Sequence, residues 1–417
     1  MEKIFDNYVS AFNEILDKKL QNINESVSYR ASSFSNIIEK SIGTENNQLP
    51  ATPSQLQKLF GVAKGYRKNV SIGNHPDFIY IGKSGKEYHH CVSMFIDIKG
   101  STNLALKYSL DEVRLMKDLV LSLCIKTATT FGGHIQRLQG DGLFIQFVGK
   151  DIYKNDSLIN SLNTASVLCH FVSTDLSQIL SQKDLEPLRI KIGIDYGGDD
   201  KVLWSYYGIP GCNELTTTSI HTDLAAKLQA SANSNEIRIG DNIKEELDLP
   251  NEYLKVAKDK NNNDVPYIKS SINYKQYVFD WKAYLNDFDF FKRSTDGTNL
   301  ELIEPIYSIK CYYSIDGEDL PYSQNLYSID KDLKLTYCLY KNNIKYNKTN
   351  EDTITWKIHN CGREVPKDQL NFEVKEFKNK TVMNAYSKYL GHHWVECIIE
   401  NKFRIDNIKV RFGVFIR

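Results

Sequence analysis

Apolar residues near the start of the chain recur in steps of three and four. Phe5, Val9, Phe12, Leu16, Leu20, Ile23 and Val27 form one stripe, so residues 1 to about 45 read as helical, with a face to bury against the same chain or another copy. Asn46 to Pro53 reads as a linker, and a short helix follows to about Tyr66. From about 88 to 270 strand and helix periods alternate. Cys91 to Asp97 is a buried strand. Ser109 to Phe131 is a helix, with Ser109 as N-cap and Glu112 three residues on. His134 to Gln139 and Leu143 to Val148 flank Gly140-Asp141-Gly142, a hairpin signal. Ser161 to Gln182 is a second helix, Leu188 to Asp195 a strand, Thr222 to Ala232 a third helix and Glu236 to Ile239 a short strand. Beyond about 275 helical periodicity fades. Strand-like runs follow at Ile306 to Tyr313, Leu335 to Tyr340, Thr353 to His359, Trp394 to Glu400 and Ile408 to Ile416.

This succession predicts an α+β chain: an α/β sandwich behind N-terminal helices, and a separate all-β domain. The expected divisions are 1-66 (helical), 75-270 (catalytic) and 275-417 (β-rich).

Composition narrows the field. The 52 Lys+Arg balance 52 Asp+Glu, which leaves no basic excess to neutralise nucleic-acid phosphates. No apolar run reaches the roughly 20 residues of a membrane helix. The first residues lack the apolar core and cleavage site of a signal peptide. The eight cysteines are scattered and read as reduced thiols of a cytoplasmic protein. The expected partners therefore include neither nucleic acid nor a membrane.

The chemistry concentrates in two aspartates. Asp97 ends a strand in Phe95-Ile96-Asp97-Ile98-Lys99-Gly100-Ser101-Thr102, and Asp141 sits in the hairpin turn. If those strands are neighbours, both carboxylates meet at one sheet edge. Two carboxylates and a strand-end carbonyl suit hard cations such as Mg²⁺ or Mn²⁺. A pair of such ions can activate an attacking oxygen and steady a leaving one. The turn from Ile98 to Thr102 would offer N–H groups to phosphate oxygens. The plainer alternative makes Asp97 a helix cap and Asp141 a type I′ turn residue.

These residues resemble the class III nucleotidyl cyclase catalytic domain over roughly 88 to 245. FIDIKGST resembles its first motif, RLQGD its second and RIKIGIDYG its third. The resemblance implies that Asp97 and Asp141 are catalytic metal ligands, with the Ile98 backbone carbonyl as a further ligand, holding two divalent ions, Mn²⁺ or Mg²⁺. Phe95 and Arg137 become substrate-binding, with Arg137 at the base-reading position. The fourth motif departs: Asp223 and Lys227 stand where the family has Asn and Arg. Lys227 keeps the charge but loses the bidentate fork. Asp223 would contact the ribose. A solvated helix face is an equally open reading of Lys227.

Arg137 offers donors only, which suits the acceptors of cytosine or uracil and fits adenine poorly, although guanine O6 and N7 would also serve. His75-Pro76-Asp77-Phe78, the HTDLAAKLQ helix and the β-rich region resemble the bacterial pyrimidine cyclases of Pycsar antiphage systems. Trp356 to Gly362 and Gly391 to Cys397 resemble the sensor domain found at the C-terminus of immune cyclases. His359, His392, His393 and Cys397 lack a ligand-pair spacing and read as core or ligand-lining residues.

The implied function is conversion of CTP to 3′,5′-cyclic CMP and diphosphate, a second messenger for antiphage defence. It would act on a downstream effector that the cyclase need not touch. Alternatives are a uridylate cyclase, a purine cyclase and a non-catalytic nucleotide-binding sensor. With one catalytic domain per chain, the resemblance implies a homodimer that brings Asp97 and Asp141 of one copy against Lys227 of the other.

Overall fold

The computed structural model describes residues 52–62, 71–82, 84–294 and 299–417; the expected N-terminal stripe and the linker up to residue 51 lie outside them. Helix α1 (Thr52–Phe60) occupies the place of the expected short helix, and its Phe60 ring meets Phe131, Phe288 and Phe290 edge-on.

The elements then run β1 (Lys86–Tyr88), β2 (Cys91–Ile98), α2 (Leu110–Thr130), β3 (His134–Gln139), β4 (Gly142–Phe147), α3 (Lys154–Phe171) and β5 (Ile190–Gly197). A hairpin of β6 (Leu203–Ile209) and β7 (Cys212–Thr218) precedes α4 (Ile220–Ser231), β8 (Glu236–Gly240) and α5 (Asp241–Leu247). The series closes with β9 (Leu254–Val256), β10 (Tyr267–Lys269), β11 (Tyr274–Phe279) and α6 (Trp281–Asn286). The main sheet has the order β10-β11-β8-β5-β2-β4-β3, with β9 also on β11, and β1-β6-β7 form a second sheet.

Strand β2 shows why the sheet is two-faced. Val92, Met94, Ile96 and Ile98 join one core with residues of α2 and α3. Ser93, Phe95 and Asp97 alternate onto the opposite face. There Ser93 Oγ lies 3.0 Å from Thr222 Oγ1 of α4. Gly193, opposite Phe95 in β5, lets α4 settle: a Cβ there would lie 2.1 Å from the Gln229 nitrogen.

Helix α2 starts as expected. The Ser109 side chain accepts from the Glu112 N–H, and Glu112 accepts in return from the Ser109 N–H. Helix α3 starts earlier than the expected Ser161. Its first turns are polar in sequence yet buried at Asn155, Ser157 and Asn160. They pack against the C-terminal region: Asp156 accepts two hydrogen bonds from Ser328, and Asn163 donates to the Asn325 carbonyl. That contact hid the helix from periodicity. Strand β11 is an inner strand of the main sheet, and the same core extends through Tyr284, Phe291 and Leu300. The same core also takes in Leu326 and Phe415, so it spans the division expected at 270–275 rather than marking one.

After Leu300 the chain is all β. One five-stranded sheet includes Tyr307–Ile315 and Lys334–Lys341; the other includes Asp352–His359, Gly391–Asn401 and Ile408–Ile416. Their inner faces share a core around Trp356, Tyr337 and Phe412. An α+β sandwich followed by a β sandwich is the architecture read from the sequence. Among the described residues no helix is long and apolar enough to cross a membrane.

Candidate active site

The β2–β4 register brings the two aspartates to one edge. Asp97 stands opposite Gly142, the residue after Asp141, and opposite Lys191 on its other side. Gly140 alone in the turn has a positive φ, +64°, so the turn is not the I′ type considered for Asp141. Asp97 Oδ1 would lie 3.7 Å from a Cβ on Gly142, so the carboxylate fills the space beside the turn.

Each aspartate has a lysine beside it. Lys191 Nζ is 3.1 Å from Asp97 Oδ2, and Lys117 Nζ is 3.8 Å from Asp141 Oδ1. Asp141 Oδ2 is sealed from solvent with no hydrogen-bond partner. An acceptor of that kind, next to a second carboxylate, suits a divalent cation. The Ile98 carbonyl ends the same strand. Beyond it Lys99 N–H donates to the Arg189 carbonyl, and Gly100 (φ +74°) turns the chain into a short helix, Ser101–Leu104.

Phe95 shares the face of Asp97. Its ring stacks on Phe144 with centroids 4.4 Å apart and an angle of 2°. Phe144 in turn stands opposite Arg137, past a bulge between Ile135 and Arg137. Phe95, Phe144 and Arg137 are thus successive cross-strand neighbours.

Arg137 is not a free donor. Its Nε donates to Glu214 Oε1 at 3.1 Å, and Nη2 donates to Glu214 Oε2. Glu214 Oε1 also accepts from Gln136 Nε2 at 2.9 Å. The position expected to read the base is therefore an arginine–glutamate pair, presenting donors and an acceptor together. Sequence reasoning missed Glu214 because β7 lies far along the chain and carries no motif.

Asp223 and Lys227 are both exposed on α4, four residues apart and so on one side of the helix. Among the described residues neither is hydrogen-bonded or ion-paired to Asp97 or Asp141 within the chain. At the start of α4 lies a buried cluster that sequence reasoning also missed. Asp195 Oδ2 meets His221 Nδ1 at 3.0 Å, and Asp195 Oδ1 accepts from Tyr274 Oη at 2.7 Å. Burial pushes the Asp195 carboxyl up, against the pull of those partners. The cluster fixes the root of α4 against β5.

Among the described residues one trio of side chains could converge on a metal ion, His89, His90 and Asp199. It sits at the opening end of β2, away from Asp97, and is distinct from the aspartate pair.

Comparison with known proteins now adds to this geometry. Residues 280–417 match the family described as the adenylyl/guanylyl and SMODS C-terminal sensor domain. A cytidylate cyclase from Staphylococcus aureus is 40% identical over 411 residues, covering 92% of this chain and 93% of that one. A cytidylate cyclase from Escherichia coli is 36% identical over 228 residues, covering 52% of this chain and 49% of that one. Among solved structures, the adenylyl cyclase CyaB from P. aeruginosa is 18% identical with a TM-score of 0.39, covering 46% of this chain and 95% of that one. A nucleotidyl cyclase unit followed by a C-terminal sensor domain is the class these findings define. Within that class, the chain belongs to the cytidylate cyclase family.

Proposed function

We propose that the protein converts CTP to 3′,5′-cyclic CMP and diphosphate at the edge carrying Asp97 and Asp141. The observation that carries this reading is the β2–β4 register, which brings the two aspartates to one sheet edge, where Asp141 Oδ2 has no partner. Asp97, Asp141 and the Ile98 carbonyl would hold two divalent ions, Mg²⁺ or Mn²⁺, which would lower the pKa of the 3′-hydroxyl and offset triphosphate charge.

In the reaction the 3′-oxygen forms a bond to the α-phosphorus. The α–β phosphoanhydride bond breaks, diphosphate leaves, and the hydroxyl proton passes to solvent. The chain's own residues position the substrate for this in-line attack. The Phe95–Phe144 stack gives the base an apolar wall. Arg137 and Glu214 together offer donors to O2 and N3 of cytosine and an acceptor to its amino group.

Lys227 stabilises charge on the transferring phosphorus, and Asp223 accepts from the ribose. Both are supplied by a second copy in a homodimer, because in one chain they face solvent on α4. The cyclic product would be a second messenger of antiphage defence in the cytoplasm, read by a separate effector.

Incubating the protein with CTP, UTP, ATP and GTP, each with Mn²⁺ or Mg²⁺, tests this reading. Cyclic CMP as the main product supports it. Cyclic UMP or a purine product would reassign the base, and no product with any nucleotide would favour a binding sensor.

A further inference from the structure

The connector between β1 and β2 and the turn after β5 meet at the end of β2 opposite Asp97. Cys91 opens β2 across from Gly197, which brings His89 and His90 beside Asp199. One nitrogen of each imidazole and one Asp199 carboxylate oxygen lie within 4.8 Å of one another.

The two histidines are held in place. His89 N–H donates to the Val202 carbonyl at 3.2 Å, and the His89 carbonyl accepts from Trp204 Nε1 at 3.1 Å. The His89 ring packs on those of Phe78 and His90, with centroids 5.3 and 4.4 Å away. Neighbours within a strand point to opposite faces. Both histidines lie between strands instead, which lets consecutive imidazoles share one side.

Hydrogen bonds sort the ring nitrogens. His89 Nδ1 donates to the His90 carbonyl at 3.1 Å, which leaves Nε2 with its lone pair. A metal-ligating histidine commonly gives its other N–H to such a carbonyl. His90 Nε2 is sealed from solvent, so that ring can meet an ion only through Nδ1, 3.1 Å from Asp199 Oδ1. The same Oδ1 accepts from the His90 N–H at 2.8 Å, which aims the carboxylate at the ring. The way in from solvent is on the side of Asp199, whose side chain is 69% exposed.

The donor set narrows the ion. Two imidazoles and one carboxylate suit Zn²⁺ and its first-row neighbours, whereas Mg²⁺ favours oxygen alone. Tetrahedral Zn²⁺ holds nitrogen and oxygen ligands at about 2.0–2.2 Å, which sets them roughly 3.4 Å from one another. Closing from 4.8 Å to that spacing falls on Asp199, in the exposed turn after Gly197-Gly198.

We propose that His89, His90 and Asp199 bind one Zn²⁺-like transition cation, a structural clip between the β1–β2 connector and the β5–β6 turn. The proton between His90 Nδ1 and Asp199 leaves to solvent as the ion enters. A fourth position stays open to water. The site does not depend on the catalytic reading, since none of its residues belongs to the Asp97–Asp141 edge.

The test strips the full chain with a chelator and titrates it with Zn²⁺, and with Co²⁺ for its visible absorption. Excess Mg²⁺ keeps the aspartate edge filled. One ion per chain should bind, and thermal melting should move upward with it. His89→Gln and Asp199→Ala should each weaken binding by at least about tenfold, since even a partner behind a ligand is worth 10- to 100-fold. Both should also abolish the shift in melting. Asp141→Ala should change neither. No uptake of either ion at micromolar concentration would overturn the proposal. So would uptake unchanged in both variants, or uptake lost in Asp141→Ala and kept in the other two, which would return the ion to the aspartate edge.

Discussion

Arg137 and Glu214 grip each other fork to fork across β3 and β7, with Arg137 Nε 3.1 Å from Glu214 Oε1. A guanidinium bound to a carboxylate still has donors to spare, and the carboxylate retains an acceptor lone pair. The pair can therefore read a base edge that mixes donors and acceptors, which a lone arginine cannot.

Base choice should depend on both members. Arg137→Ala should lower efficiency with the preferred nucleotide by about ten- to a hundredfold, the weight of a hydrogen bond from a charged donor. Glu214→Gln keeps the shape and removes the charge, and should narrow the gap between CTP and the other nucleotides. A competition assay with all four triphosphates reads both effects. Equal losses for every base would move Arg137 from the base to the phosphates.

The aspartate edge should be indispensable for turnover and dispensable for folding. Asp97→Ala and Asp141→Ala should each cut activity by more than about a hundredfold, since electrostatic stabilisation is commonly the largest catalytic contribution. Thermal melting should change little, because neither side chain belongs to the core. Substantial turnover by either variant in Mn²⁺ would sink the metal-ligand assignment.

Assembly has its own signature. Mixing an Asp97→Ala chain with a Lys227→Ala chain should restore part of the activity that each lacks alone, because one composite site in the heterodimer keeps both groups. A Lys227→Ala chain with full activity would show that α4 does not supply this charge. A dead mixture from two variants that both dimerise would exclude the shared site.

Acid should weaken the sandwich through its buried histidines. Burial lowers His392 to about 3 and His393 to about 4. Both values lie below the ordinary 6.5, so the unfolded chain takes up these protons first. Their contribution to stability is complete above about pH 6.5 and is lost as pH falls from there toward 4, by about 1.4 kcal/mol per pH unit for each ring. Chemical denaturation at pH 7.5 and pH 5 checks this. His392→Gln should reduce the loss between the two by about one histidine's share. An unchanged loss would show that His392 charges freely in the folded chain.

The meeting of the two aspartates at one sheet edge was legible in the sequence because its signals are local. Alternation in CVSMFIDI placed Asp97 on the face of Phe95, and the Gly140-Asp141-Gly142 turn placed Asp141 beside it. The capping box at Ser109 was equally local. Glu214, Lys191 and Lys117 escaped notice because each acts on a residue brought near only by the sheet. Arg137 and Glu214, for instance, are 77 positions apart. The helix expected from Ser161 ends at Gln182 as expected, but its start was set late for a related reason. Its Asn155, Asn160 and Asn163 look like a solvated stretch, but all three are buried, Asn163 under the sandwich region's Asn325.

That covering has a thermodynamic consequence. Asn163, wholly buried in α3, donates to the Asn325 carbonyl and accepts from Tyr284 Oη at 2.7 Å. Asp156 is held by Ser328 in the same seam, and Gln324 donates to the Asp287 carbonyl. A seam made of specific hydrogen bonds cannot part gradually, since each group released inside it loses its partner before water can replace it. The two halves should therefore melt together, in a single heat-absorption peak. A piece cut between 270 and 305 would carry a raw face of asparagine and aspartate in place of a finished surface.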